Sequence, residues 1–103
     1  MKRFFVLMAA VLLSFGSLHA AEVTWLTDFK AAEKKAAAEN KQLVLNFTGS
    51  DWCGWCIRLD KEVFSQPEFV EYANKNLVLV KVDFPRKTTL AAPEKKQNEA
   101  LAE

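Results

Sequence analysis

Residues Phe47-Thr48-Gly49-Ser50-Asp51-Trp52-Cys53-Gly54-Trp55-Cys56 contain the chain's two cysteines, three residues apart. Upstream, Leu43, Val44, Leu45 and Phe47 form an apolar run that reads as a buried strand, which Gly49 and Ser50 break. Downstream, Cys56, Leu59, Val63 and Phe64 recur at helical spacing, which puts Cys53 at a helix N-terminus. Unpaired backbone amides and the positive end of the helix dipole there favour a thiolate and lower a cysteine pKa below its free value of about 8.5. The thiolate is the nucleophile of disulfide exchange. Cys56 follows one turn later on the same face. It is close enough to form a small disulfide ring with Cys53 or to attack a mixed disulfide formed there.

The strand, the Trp52-Cys53-Gly54-Trp55-Cys56 motif at a helix start and a later strand at Leu77 to Val82 resemble the thioredoxin superfamily. The Gly49-Ser50-Asp51-Trp52 lead-in and the Glu62-Val63-Phe64-Ser65 run are similar to exported bacterial thioredoxin-like proteins, and the likeness extends from Trp25 to Glu103. The resemblance implies an α/β thioredoxin-like fold and thiol-disulfide exchange, with Cys53 attacking and Cys56 resolving. It also implies protein thiols or disulfides as clients, a redox partner that resets the pair, and no cofactor. Trp52 and Trp55 would shield the sulfurs and offer an apolar surface to unfolded clients, with plain packing the alternative for Trp52. Gly54 and Trp55, between the cysteines, would tune the potential. Trp55 stands where cytosolic reductants commonly have proline, so a potential does not carry over.

Two departures from the family pattern accompany the likeness. Many thioredoxins place a buried acid on the strand before the cysteines, and the matching position here is Asn46, which cannot take a proton. Asp51 is nearer in sequence and reads as a cap for the helix start or as a proton relay. The family domain also continues into a cis-proline loop, an antiparallel strand pair and a closing helix. Pro67, Pro85 and Pro93 stand in other contexts, so residues 21–103 are expected to hold the N-terminal portion of such a domain, with an exposed sheet edge.

Residues 1–20 read as a cleavable signal peptide. Lys2 and Arg3 form a basic start, Phe4 to Leu13 an apolar core, and Ser17-Leu18-His19-Ala20 a processing site near Ala20. A core of about ten residues falls short of the roughly twenty that span a bilayer, an uncleaved anchor reaching Ala21 being the alternative. The expected destination is the periplasm or beyond, an oxidising space in which a cysteine pair can do redox work. Loss of Lys2 and Arg3 reduces 14 basic residues to 12 against 13 acidic ones, so the net charge of +1 becomes −1. That balance provides no basic field for nucleic acid and no polybasic patch for lipid, and no stable membrane insertion is expected after cleavage.

Two other functions fit the same residues. One is a non-catalytic thioredoxin-like binding module with a structural disulfide. The other is a metal-handling cysteine pair, with copper(I) the ion that thiolates suit. A closed zinc site usually needs four ligands, and without His19 the chain has two cysteines and no histidine. No metal site is therefore assigned.

The remaining elements follow from pattern. Trp25 and Leu26 read as a short edge strand. Thr27 or Asp28 caps a helix with an apolar stripe at Phe29, Ala32, Ala36 and Ala37, and Asn40 suits its end. The Gln42–Thr48 run has the continuous apolarity of a central strand. The cysteine helix extends to about Phe64. Ser65 caps the next helix, with Pro67 in its first turn and Phe69, Val70, Tyr72 and Ala73 on its packing face. Leu77 to Asp83 is a strand in which Lys81 sits at an edge or snorkels, and Pro85 begins a loop. A last helix of thin apolar content runs from about Pro93 to Glu103.

Overall fold

A computed structural model describes residues 22–103, and the expected leader at 1–20 lies outside the described residues. The elements in order are β1 (Trp25–Leu26), α1 (Phe29–Glu39), β2 (Gln42–Thr48) and α2 (Gly54–Leu59), which continues into a π-helical segment (Asp60–Phe64). Then come α3 (Pro67–Asn76), β3 (Leu77–Asp83) and α4 (Ala92–Leu101). The three strands are parallel, in the order β1-β3-β2, and helices supply the crossovers that parallel strands require. In register, Asn46 lies opposite Lys81 and Thr48 opposite Asp83.

The middle strand is β3, not β2 as expected. Among the described residues β2 is an edge strand. Leu43 and Leu45 pack against the core while Phe47 is 47% exposed, and an apolar run alone does not tell a strand's covered faces from its paired edges. Lys81 is accordingly on the central strand, half-buried.

One face of the sheet packs on α1 and α4. Val78, Val80 and Val82 meet Ala32 and Ala36, with Leu26, Leu43, Leu45, Phe84 and Leu101 around them. Alternation along β3 puts these three valines on one side, and the small alanines let α1 approach closely. The expected α1 stripe narrows to Ala32 and Ala36, since Phe29 is half-buried and Ala37 exposed. Asp28 caps α1 by accepting from the Ala31 N–H at 3.0 Å, and Asn40 ends it in the left-handed region at φ 53°.

The opposite face carries α2, the π segment and α3. Trp25, Phe64 and Phe69 stack edge-on and tilted, with centroids 5.2 and 5.0 Å apart, tying β1 to the π segment and α3. Ala73 is buried, but Tyr72, expected to pack, is 59% exposed. Ser65 does not cap α3. Gln66 holds that position, and the Ser65 N–H instead donates to the Asp60 carbonyl at 2.9 Å, closing the wider turn.

The polar helix α4 docks through amides. Gln97 accepts from the Phe29 N–H and donates to the Thr27 carbonyl, both at 2.9 Å, and Asn98, 1% exposed, donates to the Asp83 carbonyl at 3.0 Å. No peptide bond among the described residues is cis, and none of the described helices is long and apolar enough to cross a membrane.

Candidate functional site

The cysteine pair sits where β2 ends and α2 begins, beside the C-terminal end of β3. Cys53 and Cys56 form a disulfide, with Cα atoms 5.2 Å apart. Cys53 is itself the N-cap of α2. Its backbone is extended (φ −82°, ψ 102°), and its Sγ accepts from the Cys56 N–H at 3.2 Å. An amide directed at that sulfur stabilises a negative charge better than a neutral thiol, so the fold favours the thiolate on Cys53 once the bond is reduced. Both cysteines are half-buried.

With Cys53 as the cap, the capping role expected of Asp51 is not observed. Its carboxylate instead accepts the backbone N–H groups of Arg86 and Lys87, at 3.0 and 2.8 Å, fastening the loop after β3 to the cysteine turn. The Arg86 amide is the main cause holding the Asp51 carboxyl below its ordinary value of 3.8. Partial desolvation opposes the shift, and the Lys87 and Thr88 amides with the Lys87 charge assist it. A depressed folded pKa makes this clasp fully present above pH 3.8 and lost as pH falls through the lower folded value. The Arg86 and Lys87 amide resonances should therefore move together with an NMR midpoint below 3.8. A midpoint at or above 3.8, or no movement, would contradict the clasp.

Trp52 bridges to the same loop. Its Nε1–H donates to the Phe84 carbonyl at 2.6 Å, the Arg86 guanidinium lies over its ring at 3.5 Å, and its indole lies against Gly49. Trp52 is nonetheless 41% exposed. Trp55 is 78% exposed beside the disulfide, with Arg58 5.5 Å from its ring centroid. No side chain crowds Gly54, whereas a Cβ at Gly49 would overlap the Trp52 indole. Gly49→Ala is expected to unseat Trp52 and destabilise the fold by about 1–3 kcal/mol. The checks are a lower Tm and a shifted Trp52 indole N–H resonance; an unchanged resonance would show that the overlap is relieved elsewhere.

Asn46, the other acid-base candidate, has no proton to exchange in the ordinary range but lies close to the chemistry. It lines a cavity of about 260 Å³ with Cys56, Trp25, Thr48, Ser50, Asp60 and Lys81. Asn46 and Asp51 are thus on different sides of the pair, one at the cavity and one at the loop.

Sequence reasoning missed Asp83 and Arg86. Asp83, 9% exposed, accepts from the Ser50 N–H at 2.9 Å and from the Ser50 hydroxyl at 2.5 Å, anchoring the cysteine turn to the central strand. The available signal was a carboxylate ending a run of β-formers, a residue type strands disfavour. Among the described residues no group of three or more His, Cys, Asp or Glu side chains is placed to hold a metal.

Residues 24–101 match the thioredoxin-like family. Among curated proteins, the chain is 35% identical over 82 residues to the disulfide bond reductase DsbH of Chlamydia pneumoniae, a match covering 80% of this chain and 49% of that protein. It is 33% identical over 95 residues to the thioredoxin-related protein DsbJ of the same organism, covering 86% of this chain and 27% of that one. A solved structure of a DsbH oxidoreductase superposes with a TM-score of 0.75 at 32% identity, covering 87% of this chain and 62% of the other. The chain thus spans about half the length of the first relative and about a quarter of the second. Family match, shared fold and a cysteine pair at a helix start agree: the chain belongs to the thioredoxin-like family.

Proposed function

We propose that this chain is an exported thiol-disulfide oxidoreductase acting on protein clients. The observation that carries the reading is the Cys53 sulfur at the N-cap of α2, accepting the Cys56 amide and bonded to Cys56. In the reducing direction the Cys53 thiolate attacks a client disulfide and a mixed disulfide forms. Cys56 then attacks Cys53 Sγ, the client leaves with both sulfurs reduced, and the Cys53–Cys56 bond is restored. The reverse sequence oxidises a client. The pair takes up or gives two electrons, and a separate redox partner resets it.

Export rests on the leader read at residues 1–20, with cleavage near Ala20 and a periplasmic or secreted destination. In this reading residues 21–103 form the working thioredoxin-like portion, Trp55 supplies the apolar contact for an unfolded client, and Gly54 and Trp55 set the potential. The relatives named as disulfide bond reductase and DsbH oxidoreductase support the reaction class.

A direct test is turnover of a peptide disulfide by the full chain with glutathione as reductant. Catalysis above the glutathione background supports the proposal. No rate above background, with the Cys53–Cys56 bond reducible in the same sample, would overturn it in favour of a binding module.

A further inference from the structure

The loop after β3 is held to the cysteine turn through its backbone. Asp51 accepts the Arg86 and Lys87 N–H groups at 3.0 and 2.8 Å, and the Trp52 indole N–H donates to the Phe84 carbonyl at 2.6 Å. These contacts leave the loop's side chains open to solvent, and Arg86 is set apart among them by where its charge lies. Its guanidinium carbon is 3.5 Å from the centroid of the Trp52 ring, and Trp52 immediately precedes Cys53. The residue is exposed.

Arg86 has no acidic partner among the described residues. The carboxylates around it are engaged elsewhere. Asp51 holds the two amides, both oxygens of Asp83 accept from Ser50, and Glu99 faces Lys95 at 3.9 Å. The cation that acts on the Asp51 carboxyl is Lys87, so the Arg86 charge is not neutralised there. A guanidinium presents five N–H donors in a planar fork that fits a carboxylate with two parallel hydrogen bonds. Contact with an aromatic face steadies such a fork without occupying its donors, so less side-chain freedom is lost when an anion binds.

The same side chain lines a cavity of about 350 Å³, with Thr88, Thr89 and Lys95 as polar neighbours and Phe84, Pro85 and Leu90 as apolar ones. Its two acidic lining residues are Asp83 and Glu99, the ones already facing Ser50 and Lys95. What remains is a hollow whose unpaired cation sits on the side joined to Trp52.

We propose that Arg86, seated on Trp52, binds a carboxylate of the client, so that the cysteine pair prefers segments with glutamate or aspartate beside the reacting disulfide. The proposal rests on the oxidoreductase reading above and names its substrate class. A client sulfur joined to Cys53 places the client backbone beside Trp52. A side chain within about two residues of that sulfur then comes within reach of the guanidinium, since an extended chain spans about 3.3–3.6 Å per residue. The preference is local, because the net charge of −1 on residues 21–103 exerts no general pull on acidic peptides. The carboxylate takes no part in the exchange of sulfurs and determines only which client is held while Cys53 attacks.

The test uses the reduced full chain and two cyclic disulfide peptides that differ only in having glutamate or glutamine on both sides of each cysteine. Single-turnover reduction is followed by alkylation and mass. Each rate is divided by that of dithiothreitol acting alone on the same peptide, which removes the effect of the charges on the peptide's own thiols. The glutamate peptide is expected to react about fivefold faster at low ionic strength and at near parity in about 0.5 M salt. Arg86→Gln should bring the ratio to about one, and Lys87→Gln should leave the preference in place. A substitution that merely loosens the loop slows both peptides alike and does not move the ratio. Equal rates in the unaltered chain would overturn the proposal, as would a preference that survives Arg86→Gln. If the unaltered chain reduces neither peptide, the oxidoreductase reading fails and the proposal with it, a result distinct from reduction without preference.

Discussion

Cys53→Ser is expected to lower disulfide exchange by more than about 10³-fold while leaving the fold in place, because a serine hydroxyl at the N-cap does not ionise or attack sulfur as a thiolate does. Serine is also a good N-cap, so helix α2 keeps its start and stability should change little beyond loss of a short disulfide loop. The partner variant differs in kind. With Cys56→Ser the attack proceeds and resolution does not, so the client remains joined to Cys53 as a mixed disulfide detectable by intact mass. That asymmetry follows from the geometry, in which the Cys53 sulfur accepts the Cys56 amide and not the reverse. Equal trapping by both variants, or retained turnover in Cys53→Ser, would contradict the assigned order of attack.

The second large effect is structural. Asp83→Ala removes a carboxylate that accepts two bonds from Ser50 and leaves the Ser50 N–H without its partner in a half-buried turn. Losing charge-assisted bonds of this kind costs about 2–4 kcal/mol, and in a domain of this size that lowers Tm on the order of 10 °C. Activity should fall as well, since the turn that Ser50 anchors carries Cys53. Asp83→Asn keeps one acceptor oxygen and should recover part of both losses. A thermal scan with a turnover assay checks this, and an unchanged Tm in Asp83→Ala would show that the turn is held by other contacts.

Local pattern made the framework legible. The Leu43–Phe47 run, the two cysteines at one-turn spacing, Asp28 before α1, Asn40 after it and the Leu77–Asp83 strand each produced the element expected. What was not legible depends on who meets whom. Periodicity shows that β2 has two apolar faces but not that β3 lies between β2 and β1. Asp51 looked like a cap because it precedes a helix, yet the amides it accepts are 35 and 36 residues away. Helix α4 looked weak by apolar content because its docking is done by Gln97 and Asn98, whose partners lie across the fold.

The measurement that tests the central claim most directly is the reduction potential of the Cys53–Cys56 pair. It is obtained by equilibrating the chain in glutathione buffers and counting alkylated thiols by mass. A catalytic pair stabilised as a thiolate should titrate between about −120 and −270 mV, within reach of cellular redox partners. A value below about −300 mV would mark a structural disulfide and contradict the oxidoreductase assignment.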